Sequence, residues 1–512
     1  MPVKPAIVSA VLALLAAPLG AQTPLSAIDW LNNPAAFPIQ KDPVLPPEAA
    51  VSSGITSETI TVSTLDSIST DAVGLLPRSV SGLPANLWGP TSTAELETLL
   101  DSINDADLLP ATRDLLFTML LSELDPPIDS SASGEFFLTR VDTLSRLGAV
   151  ESAKALLDRA GTDTPDRFAR WFDLSLLLGT EADACKRLKA SPGLTTSLPA
   201  RVFCLARNGD WNAAALSLGT ARALGQITDT EEALLLRYLD EEFAEDAPPL
   251  AIPTAPTPLT FQLFDAIGEP LSTNSLPVAF AHADLRENSG WKSQLEAAER
   301  LARKGVLPSN KLLGLYTERR AAASGGVWNR VASVQAFDLS LASVSEAAIS
   351  KALPVAWSEM QSVGLEPVFA ELYSQRLSDI ELTGATEALA FRMALLTDSY
   401  ETAAQSFQTT LAEELFMKSV AQGNLKGVVA SNDQMAAIKD GFLATQVSTR
   451  FQRMLDDGAI GKALLESIRF IGHGADGDVA KLTEAIALLR NLGLEDVARR
   501  AALQVMILDT RG

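Results

Sequence analysis

Apolar residues recur at the three- and four-residue spacing of amphipathic helices through most of this chain. The pattern begins near Ser92, after Pro90, and continues to about residue 245. It resumes near Leu259 and runs almost to the C-terminus, with breaks at 268–277 and at Gly325-Gly326. We therefore predict an all-α fold with two helical arrays, 91–245 and 259–512, joined by a Pro-rich linker at 246–258.

No helical period is visible between residues 22 and 90. This stretch is rich in Pro, Ser and Thr, as at Pro34, Pro38 and Pro43. Such a composition offers few apolar residues for a core, and proline removes backbone donors. We predict that 22–90 is an extended or disordered segment.

The first 21 residues have the layout of a secretory signal peptide. Lys4 precedes a run from Ala6 to Ala17 that is apolar except for one serine. A helix-breaking stretch follows, and cleavage after Ala21 would leave Gln22 as the first mature residue. The alternative is an uncleaved anchor, but the run is shorter than the roughly 20 residues that span a bilayer. We expect export to the periplasm of a Gram-negative bacterium, without an integral membrane anchor.

Composition narrows the class of partner. The chain has 512 residues, a formal net charge of -22 and only 6% aromatic residues. A surface this acidic lacks the clustered Lys and Arg that bind phosphates, so nucleic acid is not an expected partner. Abundant Ala and Leu favour helices packed through small side chains.

The chain contains two cysteines, Cys185 and Cys204. An exported protein meets an oxidising compartment, where two cysteines on neighbouring helices can pair. We predict a disulfide between them. The alternative is a pair of buried thiols that act as small apolar residues.

A short element recurs along the helical pattern: a turn residue, followed five positions later by alanine. It occurs at Gly148, Gly179 and Gly209, at spacings of 31 and 30 residues. Glycine ends one helix at a tight turn, and the alanine lets the next helix approach closely. Three later copies lie at 398–403, 458–463 and 493–498. The pattern predicts stacked helix-turn-helix units.

The copy Gly209-Asp210-Trp211-Asn212-Ala213-Ala214, followed by Ala221, resembles the second half of a tetratricopeptide repeat. Asp398 to Ala403, with Tyr400 at the aromatic position, is similar. The resemblance covers about half of the mature chain. The chain departs from the family in two ways. The repeat spacing is lost between about 245 and 360, and the residues that the family has in the first helix of each unit are mostly missing. It implies an α-solenoid of antiparallel helix pairs; the alternative is a generic helical bundle.

In the tetratricopeptide family the first helix of each unit lines a concave groove that holds peptides. The resemblance places Arg146 and Arg207 at one repeat position, two residues before the turn glycine. We name both as candidate partner-binding residues, although Leu177 takes that position in the intervening unit.

A second set of candidates lies where the repeat is lost. Six basic residues fall between 299 and 320 against two glutamates, with aromatic residues close in sequence. Aromatic rings beside arginine can hold a glycan or an acidic peptide. The alternative is ordinary salt bridging. The candidate partner-binding residues of this segment are Trp291, Arg303, Tyr316, Arg319, Arg320 and Trp328.

Motifs for nucleotide binding, nucleophilic catalysis and metallopeptidase activity are absent from the sequence. His282 lies in an apolar helical stretch and is expected in the core. His473 precedes Asp476 and Asp478, and we expect a helix cap there in preference to a calcium loop. We predict no catalytic residue, cofactor or metal ligand.

These observations favour a periplasmic scaffold or adaptor that binds another protein of the cell envelope and is not an enzyme. The alternative is a peptidoglycan-processing enzyme or its accessory subunit, since lytic transglycosylases also contain helical superhelices. The catalytic part of that family contains a Glu-Ser pair. The pairs in this chain, Glu151-Ser152 and Glu466-Ser467, lie inside predicted repeat helices.

Overall fold

The computed structural model describes residues 69–103, 108–240 and 248–508, all within one compact unit, Leu65–Gly512. These residues form α-helices and short 3-10 helices, and no β-strand occurs among them; one isolated bridge joins Leu76 to Ser122. The all-α, solenoid-like prediction is confirmed. The predicted signal peptide, its cleavage site at Ala21 and Gln22, and the segment 22–68 lie outside the described residues.

From the third helix to the tenth, each helix packs against the next one along the chain. Polar caps begin several of them. The α10 cap is reciprocal, because Thr228 accepts from the Glu231 backbone and Glu231 accepts from the Thr228 backbone. The helices are α1 Arg78–Ser81, α2 Thr93–Ser102, α3 Pro110–Leu121, α4 Glu135–Arg146, α5 Val150–Ala160, α6 Pro165–Leu178, α7 Glu181–Ala190, α8 Leu198–Arg207, α9 Trp211–Ala223 and α10 Asp229–Leu239.

The recurring glycine and alanine have the same roles in three successive helix pairs. Gly148, Gly179 and Gly209 lie between paired helices and adopt φ values of 87°, 75° and 82°. L-residues rarely adopt this region, so the turn requires glycine. The alanine five positions later is fully buried in each pair. The pattern therefore predicted these helix-turn-helix units correctly.

The middle of the chain has its own core, formed by buried residues between 281 and 396. Phe337, Phe369 and Tyr373 form its aromatic centre, with ring centroids 4.9–5.3 Å apart. Helix α11, Pro258–Ala266, precedes this core and buries its apolar residues in the other core cluster. The helices that follow are α12 Ala281–Asp284, α13 Trp291–Arg303, α14 Ser309–Glu318, α15 Val327–Ala342, α16 Glu346–Gln361, α17 Glu366–Ser378 and α18 Gly384–Ala394.

The C-terminal helices pack back onto the start of the array. The last helix, α25 (Glu495–Ile507), lies against α3, and α23 (Ile460–Ala475) lies against α2 and α3. The Gln504 side chain accepts a hydrogen bond from the backbone of Ala111 at 2.9 Å. One core cluster consequently includes buried residues from both ends of the unit. These helices are α19 Tyr400–Ser406, α20 Ala412–Ala421, α21 Asp433–Leu443, α22 Thr449–Asp456, α23 Ile460–Ala475, α24 Val479–Asn491 and α25 Glu495–Ile507.

Residues 69–90 differ from the predicted extended or disordered segment. They include a 3-10 helix at Thr70–Ala72 and helix α1, and they bury Trp88 almost completely. The buried Arg140 side chain donates to the carbonyls of Asp71 and Val73, at 3.0 and 2.8 Å. The sequence pattern missed this order because the contacts come from distant helices and not from a local period.

The predicted linker is non-helical where the structure describes it. Residues 248–257 contain no helix, and Pro258 begins α11 with Thr257 as its cap. In the part of the chain that the structure describes, no helix has both the length and the apolar character needed to cross a membrane.

Candidate functional site

The structure pairs Cys185 of α7 with Cys204 of α8 in a disulfide. Their Cα atoms lie 4.9 Å apart, and both side chains are buried. The bond joins the second helix of one pair to the first helix of the next. It therefore fixes two neighbouring units against each other, as the sequence predicted for these two cysteines.

A cavity of about 480 Å³ lies beside this disulfide, between α7, α8 and α9. We call it the disulfide groove. Most of its wall is apolar, with Lys189, Arg201 and Asp210 among the polar lining residues. The apolar lining residues are Leu188, Pro192, Leu198, Leu205, Leu216 and Ala221, together with the two cysteines.

Helix α9 exposes one large apolar side chain at this groove. Leu216 is 73% exposed and lines the cavity. Trp211 at the start of the helix and Leu224 just beyond its end are 49% and 64% exposed but are not among the lining residues, and the Trp211 ring lies 6.1 Å from that of Tyr238 in α10. An exposed apolar side chain at the wall of an apolar cavity is a candidate contact for a partner. The buried stripe of α9, by contrast, is formed by Ala214, Leu218 and Ala221.

Sequence reasoning missed Leu216 as a site residue, although a signal was present. Ala214, Leu218 and Ala221 follow the helical stripe of one buried face, and Leu216 falls outside that stripe. An apolar residue off the buried stripe is expected at the surface, which makes it a candidate contact residue when a cavity lies beside it.

Arg146 and Arg207 contact the protein itself. The Arg146 guanidinium donates to the carbonyls of Leu100 and Ile103, at 2.8 and 3.1 Å, at the C-terminal end of α2. Arg207 forms an ion pair with the buried Glu181 at 2.7 Å and remains half exposed. Neither arginine is among the residues that line the disulfide groove, although Asn208, which follows Arg207 in sequence, is.

The candidate basic and aromatic residues between 291 and 328 lie in different parts of the structure. Trp291 and Trp328 lie with ring centroids 5.1 Å apart, and the Arg319 guanidinium lies 5.9 Å from the Trp291 ring. Arg320 is exposed. Tyr316 is buried and donates to Glu299 at 2.6 Å, so it forms part of the core beneath this surface.

Arg303 lies elsewhere, in a polar cavity of about 530 Å³. Residues from α3, α5, α17 and the C-terminal helix line it, including Glu151, Glu371 and Arg500. The predicted set thus yields one cluster of two tryptophans and Arg319, while Arg303 and Tyr316 do not join that cluster.

The two histidines lie in ordinary protein contacts. His282 is buried, with Nε2 2.9 Å from the Gly148 carbonyl oxygen. His473 lies in the last turn of α23, and its Nδ1 is 3.0 Å from the Lys481 ammonium. Asp478 caps α24 by accepting from the Lys481 backbone, which agrees with the predicted helix cap. Among the residues described by the structure, no three metal-binding side chains are grouped together.

The Glu-Ser pairs fall inside helices, as the sequence predicted. Glu151 and Ser152 lie in the first turn of α5. Glu466 is buried in α23 and forms an ion pair with Arg450, and Ser467 donates to the carbonyl of Leu464 within the same helix.

Asp173 of α6 is a further residue that the sequence did not single out. It lines a smaller cavity, and burial raises the pKa of its carboxyl to about 6, with Arg170 partly offsetting the increase. A carboxylate within an apolar wall is difficult to recognise from sequence. Its exceptional surroundings come from α8, α10 and α11, which are distant along the chain.

The Asp173→Asn variant is expected to be more stable than the wild type at neutral pH. An unfolded aspartate titrates near pH 3.9, roughly two units lower, so between about pH 4 and 6 the folded protein holds the extra proton. The destabilising effect of Asp173 therefore grows as the pH rises through this window and is complete above it. After allowance for screening by water, we expect a gain of about 1–2 kcal/mol at pH 7.5.

Urea unfolding of both chains at pH 4 and pH 7.5 checks this expectation. The two chains should have the same stability at pH 4. A variant that is less stable than the wild type at pH 7.5 would show that Asp173 is stabilised by an interaction in the folded state.

Comparisons with models of protein families, with curated proteins and with solved structures find no match to this chain.

Proposed function

We propose that this chain is an exported helical-repeat scaffold of the periplasm, which acts by binding an apolar segment of another cell-envelope protein. The proposal is based on the disulfide groove. It combines a largely apolar cavity with the exposed side chain of Leu216 in its wall. An exposed apolar surface beside a cavity is stabilised when a partner covers it.

The proposed periplasmic localisation is supported by two independent features. The N-terminal 21 residues have the charge and hydropathy layout of a signal peptide. The paired Cys185 and Cys204 suit an oxidising compartment, since cytosolic thiols are kept reduced.

The repeat organisation supports a binding role. The tetratricopeptide-like motif at Gly209–Ala214 leads directly into α9, the helix that carries the exposed apolar residues. In an array of stacked helix pairs, grooves between units offer extended surfaces for a partner chain. The groove therefore lies where the family resemblance is strongest.

The Leu216→Glu variant tests this proposal. A charge in the apolar groove should weaken partner binding at least 10-fold, because the carboxylate must lose water when the partner covers it. The partner is first identified by crosslinking in intact cells, and its affinity for each purified chain is then measured by calorimetry.

Leu339→Glu is the matched control, since Leu339 on α15 is also 73% exposed and lies away from the groove. It should bind like the wild type. Equal affinities for the Leu216→Glu and wild-type chains would contradict the proposed site. Circular dichroism of both variants should match the wild-type spectrum.

A further inference from the structure

A second cavity, of about 290 Å³, lies between α6, α8, α10 and α11. We call it the Asp173 cavity. Its wall is largely apolar, and two aromatic rings of α6, Phe168 and Phe172, lie 6.0 Å apart there. The remaining apolar lining residues are Ala169, Pro199, Ala200, Leu234, Leu235, Leu259 and Leu263.

Two carboxylates line this cavity, and only one of them accepts hydrogen bonds through its side chain. Glu231 accepts hydrogen bonds from the backbone and hydroxyl of Thr228 in the α10 cap. The Asp173 side chain forms no hydrogen bond or ion pair with any residue that the structure describes. The nearest cation on its own helix, Arg170, is already held by Asp142 through two bonds of 2.7 Å.

The helix N-termini at this cavity do not favour an anion. Ser197 accepts the Ala200 N–H in α8, and Thr257 accepts the Thr260 N–H in α11, so side chains already occupy these donors. Proline near the start of each helix removes a further donor. Asp173 and Glu231 both give the cavity negative charge, and of these two side chains only that of Asp173 accepts no hydrogen bond from a residue that the structure describes.

We propose that the Asp173 cavity binds a primary alkylammonium group, namely a lysine side chain of a partner protein. The ammonium would pair with Asp173, and the methylene stem would lie against Phe168, Phe172 and Leu263. A lysine stem suits apolar walls, and its compact charge suits a single carboxylate. This site is separate from the disulfide groove and is tested independently of it.

Proton competition gives the proposed site a pH dependence. The carboxyl pKa of about 6 means that at pH 5 most Asp173 is protonated and cannot attract an ammonium. Glu231 and Arg170 are the other charged groups near it, and α8 and α11 contribute only uncharged lining residues. Apparent affinity should therefore fall about 10-fold between pH 7.5 and pH 5.

The experiment is a titration of the full mature chain with n-butylammonium, followed by calorimetry and by the carboxyl carbon shift of Asp173 in NMR. The expected result is saturable binding at pH 7.5 that lowers the pKa of Asp173. The Asp173→Asn chain should bind at least 10-fold more weakly. Asp183→Asn, which changes an exposed carboxylate on α7, should bind like the wild type.

n-Butanol serves as the uncharged probe of the same length. If it binds as tightly as n-butylammonium, the cavity recognises only apolar bulk and the proposal is overturned. Undiminished binding to Asp173→Asn, or no saturable binding to the wild type at pH 7.5, would overturn it equally. Thermal unfolding of Asp173→Asn confirms that any loss of binding comes from a folded chain.

Discussion

Replacing Arg330 by methionine is expected to lower the free energy of unfolding by about 3–5 kcal/mol, because it leaves Glu299 as a buried charge without its partner. Arg330 donates from Nε and Nη2 to the two Glu299 oxygens at 2.7 and 2.6 Å. The two residues are only 9% and 6% exposed. A bidentate pair this well buried has no water to replace the missing guanidinium.

Tyr316 completes this network by donating its hydroxyl proton to Glu299. Burial raises the pKa of Tyr316 well above its usual value, and the charge of Glu299 adds to the increase. The phenol therefore remains a donor throughout the neutral range. One tyrosine donor alone does not balance a buried carboxylate once Arg330 is removed.

Urea unfolding measures the effect, with two comparison chains. Arg319→Met removes an exposed arginine that pairs with Glu318 at 2.9 Å, and should change stability by less than about 1 kcal/mol. A triple variant with Glu299→Leu, Arg330→Met and Tyr316→Phe replaces the whole network by apolar side chains. It should be more stable than Arg330→Met alone. A single variant within 1 kcal/mol of the wild type would contradict the role assigned to this pair.

Removal of the disulfide is expected to cost about 3 kcal/mol. Cys185 and Cys204 are 19 residues apart in sequence, and a cross-link across a loop of that length restricts the unfolded chain by roughly this amount. The double variant Cys185→Ala, Cys204→Ala also loses two buried sulfurs. Its effect should therefore be at least as large as that of chemical reduction.

Hydrogen exchange, measured with and without reductant, shows which helices lose stability when the disulfide is broken. Amides of α7 and α8 should exchange faster after reduction, because the bond joins these two helices directly. Amides of the middle core, between 281 and 396, should be unaffected since that core forms a separate cluster. Unchanged exchange in α7 and α8 would contradict a stabilising role for the bond.

Local pattern predicted the helix pairs well because their determinants are adjacent in sequence. The turn at Gly148 needs a residue that tolerates positive φ, and the buried Ala153 five positions later permits close packing. Both requirements recur within one helix-turn-helix unit. They are therefore visible without knowledge of any distant contact.

Long-range contacts explain what the pattern missed. Residues 69–90 are ordered by Arg140 and by the hydrogen bond from Gly461 to the Leu87 carbonyl, which joins positions far apart in the chain. Arg303 and Arg319 are close in sequence, yet they lie in different places because one ends α13 and the other follows α14. Asp173 is distinguished only by the three other helices around its cavity.

The proposed function requires that the disulfide groove binds a partner in the periplasm. A photo-crosslinking amino acid placed at position 216 in intact cells tests it most directly, with position 339 as the comparison site. One discrete adduct with an envelope protein is expected from position 216 and none from position 339, with both chains recovered in the periplasmic fraction. Equal adducts from the two positions, or none from position 216, would contradict it.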